Sequence, residues 1–127
     1  MKGLLNVDKP QGLTSHDVVN VVRRLAETRR VGHTGTLDPL ATGVLVLLVG
    51  PATRLARFFS GAQKRYRAVI RLGETTTTYD AEGEIVARRP VSASRAEVQG
   101  ALATFRGELL QVPPMYSAVK VQGTTLY

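Results

Sequence analysis

Residues 31–50 read VGHTGTLDPLATGVLVLLVG, and the change of character inside that run decides the fold. Its first part is punctuated by Gly32, Gly35, Pro39 and Gly43, which marks a loop. Its second part, VLVLLVG, is continuously apolar and of strand length, the pattern of a strand buried on both faces. A loop delivered straight onto a core strand is a good place for chemistry, because a rigid element positions it. Asp38 is the single acidic residue between Glu27 and Glu74, an interval that also carries Arg29, Arg30, Arg54, Arg57, Lys64, Arg65, Arg67 and Arg71. A carboxylate in such surroundings serves as an ion-pair partner, a base or a nucleophile. Asp-Pro is also a common turn element, and spacing alone favours that reading. The glycines around it admit close ligand approach, so the loop resembles a site more than a plain connector.

Working outward toward the N-terminus, residues 3–7 suit a short strand ended by Asp8, Lys9 and Pro10 and the turn residue Gly12. The run TSHDVVNVVRRLAETR predicts a helix over residues 15–28, with Thr14 as cap, Asp17 reaching back to it, and Val18, Val22 and Leu25 as the inward stripe. Arg23, Arg24, Arg29 and Arg30 crowd its end, where they complement the helix dipole or sit on phosphate. Toward the C-terminus, PATRLARFFSGAQ reads as a short helix with Leu55, Phe58 and Phe59 inward. KRYRAVIRLG alternates as a strand with Tyr66, Ala68, Ile70 and Leu72 on one face, which turns Tyr66 inward. A buried tyrosine hydroxyl needs a partner, and a cavity holding Asp38 would supply one. A polar stretch at 73–83 precedes a short strand at 84–87. Ser94 and Glu97 form a second capping box for a helix over 94–105 with Val98, Leu102 and Phe105 toward the core and Gly107 marking its end. QVPPMYSAVKVQGTTLY gives a Pro-Pro turn and a strand near 116–121. Helices alternating with strands predict a mixed α/β (α+β) domain on one sheet.

Composition narrows the function. The 127 residues make one domain or part of one, and 43% hydrophobic with 21% charged residues is globular composition. Seventeen Lys and Arg against ten Asp and Glu give a net charge of +7, which attracts polyanions and puts nucleic acid first among partners. The absence of cysteine removes disulfides, thiolate nucleophiles and Cys-ligated zinc. His16 and His33 alone make no convincing metal site. Neither a Walker motif nor a dinucleotide-binding glycine string occurs. The longest apolar run, residues 44–49, is far short of the roughly 20 residues of a membrane span, and the N-terminus lacks a signal-peptide core, so the cytoplasm is the default location. His33 reads as a general acid or base, a stacking platform or a turn residue, the last being favoured by the residues alone. Residues 54–71 hold six Lys or Arg and no acid, interleaved with Phe58, Phe59 and Tyr66. That mixture suits RNA, although the two phenylalanines have core spacing.

The string GHTGTLDPLATGVL, with DKPQGLTSHDVV before it and KRYRAVIRLG and QVPPMYSAVKVQG after it, resembles the bacterial tRNA pseudouridine-55 synthase family of the TruB type, over nearly all of the chain. The resemblance implies that Asp38 is catalytic, that His33 lies against the RNA near the displaced base, and that Tyr66 packs on the flipped uracil and is a candidate for late proton transfer. It implies isomerisation of uridine 55 in the tRNA T arm, with no cofactor, no metal and no obligate protein partner. The T stem-loop of tRNA is then the partner, and Arg29, Arg30, Arg54, Arg57, Lys64 and Arg65 are candidates to contact it. The implied fold is a mostly antiparallel sheet with flanking helices, and residues 1–127 are expected to be the N-terminal portion of the catalytic domain. The remaining sheet, a basic residue that pairs with the aspartate, and an RNA-binding domain would follow. A chain cut this way is expected to be poorly stable or to aggregate. A non-catalytic RNA-binding fragment and a guide-RNA-dependent relative are the alternatives, and the compact N-terminus looks more like the stand-alone bacterial type.

Overall fold

The computed structural model describes residues 1–59, 61–112, 120–121 and 124–125. They fall into two compact units, Met1–Arg67 and Ala68–Tyr127.

In the first unit the chain runs β1 (Gly3–Lys9), α1 (Ser15–Leu25), β2 (Val31–His33), β3 (Gly43–Val49), a 3-10 helix (Gly50–Leu55) and α2 (Ala56–Phe59). The sheet order is β1-β3-β2 and every pairing is antiparallel, with Val7 opposite Leu45, Leu5 opposite Leu47 and His33 also opposite Leu47. The apolar run is therefore the central strand, as its composition demands. Leu45, Leu47 and Val49 pack with Val18, Val19 and Val22 of α1 and with Val31, while Val7, Ala26 and Leu37 close the edge of this core. Leu48, on the other face, is also fully buried, but Val44 is exposed, so the strand is covered on both sides only in its second half. Residues 31–33, expected as loop, form an edge strand because β3 offers them a free ladder.

Helix α1 has the expected capping box. The Asp17 amide donates to Thr14 Oγ1 at 3.0 Å, and the Thr14 amide donates to Asp17 Oδ2 at 2.9 Å. The helix stops at Leu25, short of the expected 28. Glu27 takes a left-handed φ of 50°, its amide donates to Arg24 O, and the Thr28 amide donates to Arg23 O at 3.1 Å. Those bonds make a Schellman cap with glutamate in the position where glycine is usual. Ala26 then takes the inward place and Leu25 is left 75% exposed.

The second unit contains the hairpin β4 (Glu74–Thr76) and β5 (Ile85–Arg88), α3 (Arg95–Ala103), and the short pair β6 (Lys120–Val121) and β7 (Thr124–Thr125). The mixed helix and antiparallel strand architecture is the expected class, and among the described residues the strands form sheets of three, two and two rather than the one sheet expected. The 64–72 segment is not a strand, and Tyr66 and Val69 are 69% and 97% exposed. Alternation produces a strand only where a neighbour accepts its ladder, and among the described residues none does. Tyr66 therefore does not turn inward. Helix α3 carries its Ser94–Glu97 capping box, yet Leu102 and Phe105 are exposed and Val98 is half-buried, so the expected core face is uncovered. Leu55 and Phe58 are likewise exposed, with Phe59 half-buried. Of the strand expected near 116–121, residues 116–119 lie outside the described residues, as does the expected Pro-Pro turn. Among the described residues no helix is long and apolar enough to cross a membrane.

Candidate functional site

The loop between β2 and β3 begins as a continuation of the sheet, since the Thr34 amide donates to Val46 O at 3.0 Å. It then folds into a tight turn in which the Ala41 amide donates to Asp38 O at 3.0 Å, with Pro39 in the position its fixed φ suits. The turn reading of Asp-Pro is therefore correct as geometry, and it does not compete with a role for the side chain.

What distinguishes this turn is how its flanks are fastened. The Leu37 amide donates to Ser15 Oγ at 2.8 Å, and the same hydroxyl donates to Leu37 O at 3.0 Å. Ser15 is buried at the first position of α1, so the loop is stapled to the start of the helix. On the other side Pro39 O accepts from the Gly12 amide at 2.8 Å and from Lys9 Nζ at 3.2 Å. Lys9 is 0% exposed, and its ammonium also donates to Pro10 O at 3.0 Å and Leu13 O at 2.6 Å. Three N–H bonds meet three carbonyls, which is what a buried ammonium requires. The residues on either side of Asp38 are thus held while its carboxylate stays exposed. Among the described residues no ion pair reaches the Asp38 carboxylate.

His33 ends β2 and is half-buried, so it and Asp38 leave the same strand-loop segment. Its Nδ1 is buried without a hydrogen-bond partner among the described residues. Tyr66 is exposed on the segment after α2, and that segment meets the loop at Lys64, whose Cε lies 3.7 Å from where a Cβ on Gly35 would stand. The side chains of Arg29, Arg30, Arg54, Arg57, Lys64 and Arg65 are all exposed, and the Arg57 guanidinium sits over the Phe58 ring at 4.8 Å. Arg23 turns instead to the protein, donating to Asn20 Oδ1 and Val31 O.

Lys9 and Ser15 are the residues that sequence reasoning passed over, since Lys9 read as a strand terminator. The signal was present. In β1, Leu5, Val7 and Lys9 share one face, with Leu5 and Val7 opposite the core residues Leu47 and Leu45, so period-two alternation already places the lysine on the core face.

The fold and this loop match one class of protein. The family model for TruB family pseudouridylate synthase (N terminal domain) matches residues 23–127, and the chain belongs to that family. Among individual relatives, tRNA pseudouridine synthase B of Serratia proteamaculans is 53% identical over 98% of this chain and 40% of its own length. The protein of that name from Alkaliphilus oremlandii is 50% identical over 100% of this chain and 42% of its own. A chain in the crystal structure of a Cbf5-Nop10-Gar1 complex superposes with a TM-score of 0.62 at 29% identity, covering 93% of this chain and 31% of that one. The chain therefore spans about 40% of the length of the curated relatives it matches.

Proposed function

We propose that this chain is the N-terminal part of the catalytic domain of a cytoplasmic tRNA pseudouridine synthase that isomerises uridine 55 in the T arm, with Asp38 as the essential carboxylate. The reaction breaks the N1–C1′ bond, turns the detached uracil, joins C5 to C1′ and releases the C5 proton to solvent or base. The proton lost from C5 is matched by one taken up at the freed N1, so the product is an isomer and no cosubstrate is consumed. Asp38 attacks C1′ or removes a proton from C2′, and on either route it stabilises positive charge developing on the sugar. The observation that carries the reading is the clamp: Leu37 and Pro39 are both fixed to buried groups while the carboxylate between them is presented outward. A reacting group held at its neighbours rather than at its own oxygens keeps those oxygens available to substrate.

The target nucleotide must leave its stack to reach such a carboxylate. His33 and Tyr66 are the candidates to lie against the extruded base, and the exposed arginines and lysines that flank them are suited to the T stem-loop backbone. Identity near 50% to relatives named tRNA pseudouridine synthase B, against 29% to the chain of the Cbf5-Nop10-Gar1 complex, favours the stand-alone enzyme over a guide-dependent one. Asp38→Asn in the full-length enzyme tests the assignment through tritium release from T-arm RNA labelled at uridine C5. Release falls to background while RNA affinity is nearly unchanged. Retained turnover removes Asp38 from the mechanism.

A further inference from the structure

The hairpin of the second unit carries a charge arrangement that the reaction does not use. Glu74 opens β4 directly opposite Arg88 of β5, and Arg71 lies three residues before it. Arg71 Nε is 3.2 Å from Glu74 Oε2, and Arg88 Nε is 3.2 Å from Glu74 Oε1. One carboxylate thus holds two guanidinium groups, one on each oxygen, and both by Nε. The carboxylate is largely covered, at 16% side-chain exposure, whereas the arginines are 81% and 71% exposed.

Isolated surface ion pairs contribute little to stability, and the stronger Arg–carboxylate pairs engage the guanidinium fork through two nitrogens. Here each arginine uses one. Among the described residues the terminal nitrogens of both have no other partner, and the set retains a net positive charge. The base of the hairpin is also fixed. Gly73 has a φ of 84°, and a Cβ there would fall 2.7 Å from Arg89 O and 2.6 Å from Val91, so only glycine fits where the Arg89 amide donates to Gly73 O.

We propose that Arg71 and Arg88, aligned by Glu74, form a phosphate-binding pincer for the RNA backbone, additional to the contacts around Asp38. A guanidinium paired through Nε keeps its terminal N–H donors for phosphodiester oxygens, and a lysine cannot reproduce that planar fork. The proposal rests on the RNA-modifying reading above, because that reading supplies the polyanion.

The test uses the full-length enzyme and a fluorescent T-arm stem-loop, with affinity measured across a salt series for wild type, R71K/R88K and R71A/R88A. Each lost phosphate contact lowers the slope of log affinity against log salt by roughly 0.7 to 0.9. The alanine pair is expected to lose about 1.5 from that slope, and the lysine pair to keep the slope but bind several-fold more weakly than wild type at every salt concentration. The alanine pair risks disturbing the hairpin, so the lysine pair, which keeps both charges, decides. A lysine pair matching wild type overturns the pincer and leaves only diffuse charge, as does an unchanged slope in both variants. Absence of RNA binding by wild type is a different failure: it sinks the enzymatic reading and takes the pincer with it.

Discussion

At the scale of single residues, the Asp38 loop depends on an ammonium group that makes no ion pair among the described residues. Lys9 is stabilised by three carbonyl oxygens, so truncating its charge takes this donor from Pro10 O and Leu13 O, while Pro39 O keeps the Gly12 amide. Lys9→Met is expected to lower the unfolding free energy by about 3 kcal/mol, read from urea denaturation. Ser15→Ala removes a donor and an acceptor from Leu37 together. It is expected to slow turnover in the full-length enzyme with little change in RNA affinity, and single-turnover kinetics beside a binding isotherm separate the two. The cap next to Ser15 adds a pH dependence. The Thr14 hydroxyl, followed by the Thr14 amide, holds the Asp17 carboxyl below its ordinary value of 3.8. A depressed carboxyl contributes stability that is complete above that ordinary value and is lost as pH falls through the lower folded value. Far-UV circular dichroism of wild type should therefore lose helix signal below about pH 3.8, and Asp17→Asn should flatten that acid limb.

Elements show where sequence patterns are sufficient and where they are not. Helix α1 was legible at its start because Thr14 and Asp17 are local signals, but its end was hidden by a glutamate in the left-handed cap position. Glu27→Gly removes that strain and is expected to raise stability by roughly 1 kcal/mol, measured as a shift of the urea midpoint at unchanged slope. Central strand β3 was legible from its apolar run, since burial on two faces has one compositional solution. The 64–72 segment has an equally strong alternation and is no strand, because a ladder requires a second chain segment that periodicity does not encode. Tyr66 was misplaced for the same reason. Asp38 was singled out by its isolation among cations and given its role by the family resemblance, whereas the clamp beneath it was missed because its contacts join residues such as Ser15 and Leu37, far apart in sequence.

Across the whole molecule the two units differ in how much apolar surface they cover. The first has a closed core of Val18, Val19, Val22, Val31, Leu45, Leu47 and Val49. In the second, Val69, Ile70, Leu110 and Val112 are exposed. Hydrogen exchange of the isolated chain should accordingly be slowest at residues 45–49 and fast throughout 68–112, and the chain should bind a dye that reports exposed apolar surface. A monomer with uniform protection and no dye binding would contradict this. The uneven cover also has a temporal side. Lys9, Ser15, the Asp38 turn and all three strands of the first sheet lie within residues 1–67. Ribosomes deliver the N-terminus first and domains fold as units, so the carboxylate's mounting is assembled while the rest of the polypeptide is still being translated.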